Sequence, residues 1–243
     1  MISSLEMSSV RRTGLTRLAL ALAAPAQARP TLPSADAYRL AHYEVLGYGD
    51  PIDRGLERGK AIALFDATPD EVFRVATDYD KLSQYAPRVT EARVVDRQGE
   101  AKAQVLLATD LPWPVSRAWC QVQFEHERLG RDAYRIRFYQ LRGSMRRYEG
   151  SVLIEPWQRW KGGGTSTVTY ELVAVPDSSA PKSWINRQVR DAAVKWVHYL
   201  RRRINALRYA GRLHPTQPAD PHLDSPLDGR QRLTPVTEVA KAR

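Results

Sequence analysis

Apolar residues recur at steps of three and four between Pro181 and Tyr209. This stretch contains no glycine, and its only proline stands at the start, where a missing N–H costs nothing. The period predicts one long amphipathic helix. Its apolar stripe consists of Ile185, Val189, Ala192, Ala193, Trp196, Leu200, Ile204 and Leu207, widened by Trp184 and Val197. The opposite face carries Lys182, Arg187, Arg190, Lys195, Arg201, Arg202, Arg203 and Arg208 against one acid, Asp191, and we expect it to face solvent.

Before this helix, apolar and polar residues alternate in a series of short segments. Alternation predicts strands at 60–67, 91–97, 101–110, 119–127, 134–141, 151–157 and 166–176. Two short helices are predicted at 70–78 and 81–85, with Thr68 as N-cap and Pro69 opening the first. Strands that follow one another without helices between them favour an α+β domain with a curved antiparallel sheet of about seven strands, and two short helices after strand 1.

The inward faces of these strands suggest a cavity. Alternation places Phe124 and His126 on one inward face, Phe138 and Gln140 on the next, and Tyr170 on a third. One helix cannot fill the mouth of a strongly twisted sheet, so we expect a lengthwise cavity between the two.

Composition divides the chain into four parts. Residues 1–28 carry Arg11, Arg12 and Arg17, a short apolar run and an Ala26-Gln27-Ala28 cleavage pattern, which together indicate a signal peptide. Residues 29–58 form an N-terminal extension with a possible short helix at 35–42, residues 59–209 form the domain, and the polar stretch 210–243 is expected to be disordered. We therefore expect export to the periplasm or outside the cell, or a cytoplasmic protein if the leader is not functional.

The net charge of +10 is concentrated on the long helix, because acidic and basic residues are equal in number between Arg29 and Pro181. A nucleic-acid partner is therefore not expected, since it requires cations gathered on the folded surface with aromatic residues or a reading module. Transient attraction of the basic helix to an anionic membrane remains open. We expect a monomer.

Residues that carry chemistry are scattered. Cys120 is the only cysteine and the five histidines show no pair at ligand spacing, so we expect no metal and no cofactor. None of the common hydrolase, metalloprotease, dinucleotide or phosphate-binding motifs is present, and we assign no catalytic residue.

Four stretches of the chain resemble the START-like, helix-grip superfamily, which includes polyketide cyclases, bacterial lipid-transfer proteins and coenzyme Q-binding proteins. The first is TPDEVFRVATDYDKLSQYAPRVTEARVVDR at 68–97, which is similar to the family's double helix and second strand. LPWPVSRAWCQVQ is similar to its Pro-aromatic-Pro strand start, GSVLIEPW with STVTYELVAVPD to its closing hairpin, and APKSWINRQVRDAAVKWVHYLRRRI to its terminal helix.

The resemblance implies a cavity roofed by the terminal helix that takes a lipid, sterol, isoprenoid quinone or polyketide. Carried over residue by residue, it places Tyr79, Leu82, Tyr85 and Pro87 near the entrance, Trp113 on the loop beside it, and Trp184, Gln188 and Trp196 on the closing helix. With the inward strand residues Phe124, His126, Phe138, Gln140 and Tyr170, these are the candidate ligand contacts.

The favoured hypothesis is non-enzymatic binding and transport of a hydrophobic ligand. One alternative is a cyclase or dehydrase in which Tyr170, His126 or an arginine polarises a ketone in the same cavity. The other is an interaction module that binds a membrane or a protein through its basic helix.

Overall fold

The computed structural model describes residues 33–113, 115–157 and 165–213. The expected signal peptide and residues 214–243 of the expected disordered stretch lie outside these ranges. In chain order the elements are α1 (Ser34–Ala41), β1 (Leu46–Pro51), β2 (Glu57–Phe65), α2 (Pro69–Ala76), a 3₁₀ turn (Tyr79–Lys81), α3 (Leu82–Tyr85), β3 (Val89–Gln98), β4 (Lys102–Asp110), β5 (Arg117–Arg128), β6 (Tyr134–Gly143), β7 (Met145–Pro156), β8 (Ser166–Pro176) and α4 (Lys182–Tyr209).

The strands form one antiparallel sheet in the order β1-β2-β8-β7-β6-β5-β4-β3, which confirms the predicted fold class. The sheet has eight strands in its described part, because β1 lies within the segment expected to be an extension and pairs with β2. The two short helices accordingly follow the second strand. The sequence of β1, LGYGDP, does not predict a strand, because glycine and proline are poor strand formers.

The strand β3 forms one edge of the sheet. Its pairing with β4 shifts register twice, between Val89 and Glu91 and between Val94 and Asp96. Most of its side chains are exposed, and they include Arg93 and Arg97.

The helix α4 buries the predicted stripe against the sheet and the short helices. Val189, Ala193, Leu200 and Ile204 are all at most 3% exposed. Near its start, Asn186 accepts a hydrogen bond from the Glu57 N–H at 3.1 Å and donates one to the Gly55 carbonyl at 3.2 Å, which ties the helix to the turn between β1 and β2.

Two arginines of the basic face do not project into water, contrary to the expectation for that face. Arg201 donates to the carbonyl oxygens of Tyr43 at 3.0 Å and Leu64 at 2.9 Å, and burial lowers its pKa. Arg208 binds the carboxylate of Glu71 at 2.9 Å. These contacts join the second half of α4 to the sheet and to α2, and periodicity alone could not reveal them because all three partners lie far away in sequence.

Glu71 forms a capping box with the predicted N-cap Thr68 at the start of α2. Its carboxylate accepts from the Thr68 N–H at 2.7 Å, while the Glu71 N–H donates to the Thr68 hydroxyl at 3.3 Å. The side chain of Glu71 is fully buried. A buried carboxylate is tolerated only when it is hydrogen-bonded and paired, and Arg208 supplies the positive charge.

Gly59 lets α4 approach the sheet closely. A Cβ atom at this position would overlap the backbone carbonyl of Val189. At Gly47, on the neighbouring strand, an added Cβ would meet only the side-chain Cγ2 atom of Val194, at 2.6 Å.

We predict that Gly59→Ala lowers the free energy of unfolding by about 2 kcal/mol, because the helix backbone must move to admit the methyl group. The measurement is urea unfolding followed by circular dichroism. Gly47→Ala is the matched control and should cost clearly less, since a side chain can give way. Equal losses for the two variants would show that the helix backbone does not limit the approach.

Candidate functional site

A cavity of about 150 Å³ lies between the first half of α4 and the inner face of the sheet. Its wall on the sheet is formed by apolar residues of β4, β5, β7 and β8, among them Leu107, Cys120, Met145 and Leu172. The remaining wall comes from α4 and from the connections α3–β3 and β4–β5. The exposed side chains Arg88, Asp191 and Lys195 stand among the lining residues and mark the mouth, which opens between α4 and the two connections.

A second chamber of about 60 Å³ lies further along the same face of the sheet. It is lined by Tyr79, Leu82, Phe124 and Phe138 together with aliphatic side chains. Tyr148, Tyr170 and Trp196 border both chambers. These three aromatic side chains, together with the smaller Ala86, Val89 and Leu107, form the boundary between the two spaces.

The boundary is held by stacked rings. The ring of Tyr170 lies 4.3 Å from that of Trp196, at an interplanar angle of 14°. Phe138 lies 6.0 Å from Tyr170 and 5.6 Å from Tyr148. A Cβ atom on Gly150 would overlap the ring of Phe138, so this glycine makes room for the ring that lies between the two tyrosines.

Polar groups inside the cavity are few, and two of them are tyrosine hydroxyls. Neither Tyr148 nor Tyr170 has a hydrogen-bond partner among the residues that the structure describes. Burial raises the pKa of both well above the ordinary value of 10.0, and the neighbouring Tyr148 raises that of Tyr170 further. Both phenols are therefore neutral hydrogen-bond donors at physiological pH.

Most of the residues expected at the site line one of the chambers. Pro87, Trp184 and Gln188 line the large chamber, whereas Tyr79, Leu82, Phe124 and Phe138 line the small one. Tyr170 and Trp196 line both. Alternation in β5, β6 and β8 and the stripe on α4 predicted five of these residues, and the family resemblance predicted the other four: Tyr79, Leu82, Pro87 and Gln188.

Four expected site residues line neither chamber. Tyr85 is buried and donates to the Val75 carbonyl at 3.1 Å, which anchors α3 to α2. Trp113 is 88% exposed. The amide of Gln140 is used within the sheet, since it donates to the Met145 carbonyl at 2.9 Å and accepts from the Cys120 thiol at 3.2 Å.

The fourth is His126, which lies behind the wall of the small chamber. Its Nδ1 contacts the carbonyl oxygen of Glu100 at 2.5 Å, and its Nε2 lies 2.6 Å from the hydroxyl of Tyr79. Because a carbonyl can only accept, Nδ1 carries the proton and Nε2 accepts from Tyr79. Burial lowers the pKa of His126, which favours this neutral form. Both ring nitrogens of His126 are therefore used in bonds to Tyr79 and Glu100, and neither is left for a ligand.

Sequence reasoning missed Tyr148 and the charged residues of the mouth. The strand β7 begins at Met145, whereas alternation was followed only from Ser151. Extending it backwards from Ile154 through Val152 and Gly150 would have placed Tyr148 on the inner face. Arg88 and Lys195 gave no such signal, because their position depends on how α4 lies across the sheet.

Within residues 33–113, 115–157 and 165–213, no group of three or more histidine, cysteine, aspartate or glutamate side chains could hold a metal ion. In the same ranges no helix has the length and apolar character needed to cross a membrane.

Comparison with known proteins identifies one matching family, described as polyketide cyclase / dehydrase and lipid transport, over residues 62–209. No curated protein matches the chain in sequence.

Among solved structures, a STAR-related lipid transfer protein fragment from Xanthomonas axonopodis is similar, with 22% identity, a TM-score of 0.58, and coverage of 66% of this chain and 93% of that one. Human STARD10 has 15% identity and a TM-score of 0.58, covering 70% and 73% respectively. Human StAR-related lipid transfer protein 5 has 7% identity and a TM-score of 0.55, covering 72% and 94%. These likenesses establish the fold.

We predict that His126 makes folding stability depend on pH. Its folded pKa lies below the unfolded value of 6.5, so the unfolded chain takes up the proton first and stability falls as the pH drops below 6.5. In His126→Gln the loss of stability between pH 7.5 and 5.5 should be smaller by roughly 0.5 kcal/mol, allowing for the partial exposure of the ring.

The measurement is urea unfolding at both pH values. His198→Gln is the control, because His198 is exposed and its pKa is also lowered by partial burial. It should change the pH dependence less than His126→Gln. An unchanged pH dependence in His126→Gln would contradict the assignment of the neutral ring.

Proposed function

The chain belongs to the polyketide cyclase / dehydrase and lipid transport family, and from this premise we propose that it binds and carries a hydrophobic ligand without transforming it. The ligand classes that suit such a site are a lipid, a sterol or an isoprenoid quinone. The proposal rests on the apolar cavity under α4, whose interior polar groups, among them Tyr148, Tyr170, Thr109 and Gln188, are uncharged.

Affinity in such a cavity comes from removing apolar surface from water, about 25 cal/mol for each Å². Aliphatic residues of the sheet and the aromatic boundary supply the protein side of that contact. The charged residues of the lining are Arg88, Asp191 and Lys195, and all three are exposed at the mouth. An apolar ligand would therefore enter with its apolar part foremost and leave any charged group in water.

The volumes limit what the cavity holds in this conformation. A dry apolar cavity of about 150 Å³ accommodates a benzene-sized molecule in the best-known engineered case, and pockets for drug-sized ligands start at about 300 Å³. The large chamber therefore fits one ring system or one end of a chain. Even joined across Tyr148, Tyr170 and Trp196, the two chambers stay below that size, so a complete lipid requires the cavity to widen as well.

The similar proteins support the proposal through their described roles. The Xanthomonas protein and the human StAR-related protein 5 are named as lipid transfer proteins, and each is covered over more than nine tenths of its length. Carriage by this chain is our inference from the shared fold and from its own cavity.

The geometry gives less support to catalysis. His126 and Tyr79 bind each other and are not arranged around the cavity as an acid and a base. Tyr170 does line both chambers with a free hydroxyl, which keeps a cyclase or dehydrase as the second candidate. A phenol of such high pKa can polarise a ketone but is a poor base at neutral pH.

We include two further elements in the proposal. The leader at 1–28 would direct the protein out of the cytoplasm, and the exposed cations beside the mouth would hold the cavity near anionic headgroups while ligand enters or leaves. Lys195 stands at the mouth and Arg187 is exposed on the same half of α4.

We predict that Ala192→Phe blocks ligand binding, because Ala192 lines the large chamber and a phenyl ring there fills it. Binding of 2-ethylnaphthalene, measured by quenching of tryptophan fluorescence, should weaken at least about tenfold. Ala206→Phe, at an exposed position of the same helix, should bind like the wild type. Equal binding by both variants would place the ligand elsewhere.

Organic extraction of the purified protein followed by mass spectrometry tests carriage against catalysis. An apolar compound that is recovered and exchanges unchanged supports carriage, whereas its conversion to a product supports the enzyme. Failure to recover any apolar compound, together with no binding of 2-ethylnaphthalene, would contradict the proposal.

We predict salt-sensitive binding to vesicles that contain phosphatidylglycerol, and none to pure phosphatidylcholine vesicles, in a co-sedimentation assay. The double variant Arg88→Glu/Lys195→Glu should lose about 1 kcal/mol of binding free energy for each removed cation. The charge-matched control Arg135→Glu/Arg137→Glu lies on β6, away from the mouth, and should bind normally. Equal losses in the two double variants would show that only net charge matters.

A further inference from the structure

Tyr148 and Tyr170 differ from the other tyrosines in the described interior. The hydroxyl of Tyr79 is bound to His126, that of Tyr85 to the Val75 carbonyl, and that of Tyr134 to Asp70. For Tyr148 and Tyr170, no partner exists in the part of the chain that the structure describes. Two hydroxyls therefore reach an apolar cavity with their hydrogen-bonding capacity unused.

A hydroxyl that faces a largely apolar cavity can be paired only by water or by a ligand, and a phenylalanine would pack in the same space without needing a partner. The neighbouring wall positions are in fact phenylalanines, at 124 and 138. The unpaired hydroxyls at the wall of this cavity are explained if a ligand that enters the cavity provides the hydrogen-bond acceptor.

The rings that carry the two hydroxyls are fixed. Tyr170 is stacked on Trp196, and Phe138 lies against both tyrosines in the room left by Gly150. Fixed rings give their hydroxyls fixed positions, so a ligand that matches them loses little further freedom on binding.

The chemistry of the surroundings determines which acceptor fits. Both phenols keep their protons at physiological pH, because burial raises their pKa. The cations that line the large chamber, Arg88 and Lys195, are exposed at its mouth, so a carboxylate placed at the tyrosines would be buried without a counter-ion. A neutral oxygen acceptor avoids that cost.

We propose that the ligand is a neutral apolar molecule with a carbonyl or similar oxygen at its buried end, and that Tyr148 and Tyr170 donate hydrogen bonds to this oxygen. This inference rests on the proposed function, because it specifies the ligand of the same cavity. It makes the two tyrosines the residues that distinguish an oxygenated ligand from a plain hydrocarbon of the same shape.

The test compares two probes of the same shape, 2-acetylnaphthalene and 2-isopropenylnaphthalene, which differ by a carbonyl oxygen in place of a methylene group. Dissociation constants are measured by quenching of tryptophan fluorescence for the wild type, Tyr148→Phe, Tyr170→Phe and the double variant. Each replacement keeps the ring and removes only the hydroxyl. Tyr139→Phe, on an exposed tyrosine of β6, is the control.

We expect the affinity for the ketone relative to the alkene to be roughly tenfold higher in the wild type and in Tyr139→Phe than in the double variant. The double variant should favour the alkene, because the ketone then loses its hydrogen bonds to water without replacing them, and it should hold the alkene at least as tightly as the wild type does. The single variants should each retain part of the preference or assign it to one hydroxyl.

A double variant with the same ketone-to-alkene affinity ratio as the wild type would overturn the inference while leaving hydrophobic binding intact. A protein that binds neither probe would overturn the inference and the proposed function together. Thermal unfolding of every variant shows whether a lost preference reflects a damaged fold.

Discussion

The close approach of α4 to the sheet determines the shape of the interior. Gly59 permits the contact with the backbone at Val189, and Asn186, Arg201 and Arg208 hold the helix at its start, its middle and its end. A helix fixed along its length cannot follow the curvature of an eight-stranded sheet. The space left between the two is the cavity, and its walls are the inward side chains of the strands.

The same constraint explains why the interior is divided. The large chamber lies under the first half of α4, and Trp196 from the helix meets Tyr170 from the sheet where the second chamber begins. Aromatic rings suit this position, since they are large enough to reach across the gap and they stack on one another. A tyrosine there adds a hydroxyl to an otherwise apolar wall.

The sequence predicted the fold and most of the cavity walls because both depend on periodicity. The stripe on α4 and the alternation through Phe124, Phe138 and Tyr170 describe a buried face whatever the neighbours are. His126 and Gln140 also follow the alternation but line neither chamber, since hydrogen bonds to Glu100 and Met145 hold their polar atoms elsewhere. Periodicity shows on which face of a helix or strand a residue lies, but tertiary contacts decide which groups its side chain bonds to. For the same reason the interior bonds of Arg201 and Arg208, on a face that looked fully solvated, could not be predicted.

The two register shifts in β3 have a consequence beyond the shape of the sheet. An outermost strand presents free backbone N–H and C=O groups, which in a flat and uncharged strand act as a template for amyloid-like stacking of further chains. The irregular pairing of β3 and the charges of Arg93 and Arg97 make that strand a poor template. These features lower the tendency of molecules to aggregate through this edge of the sheet.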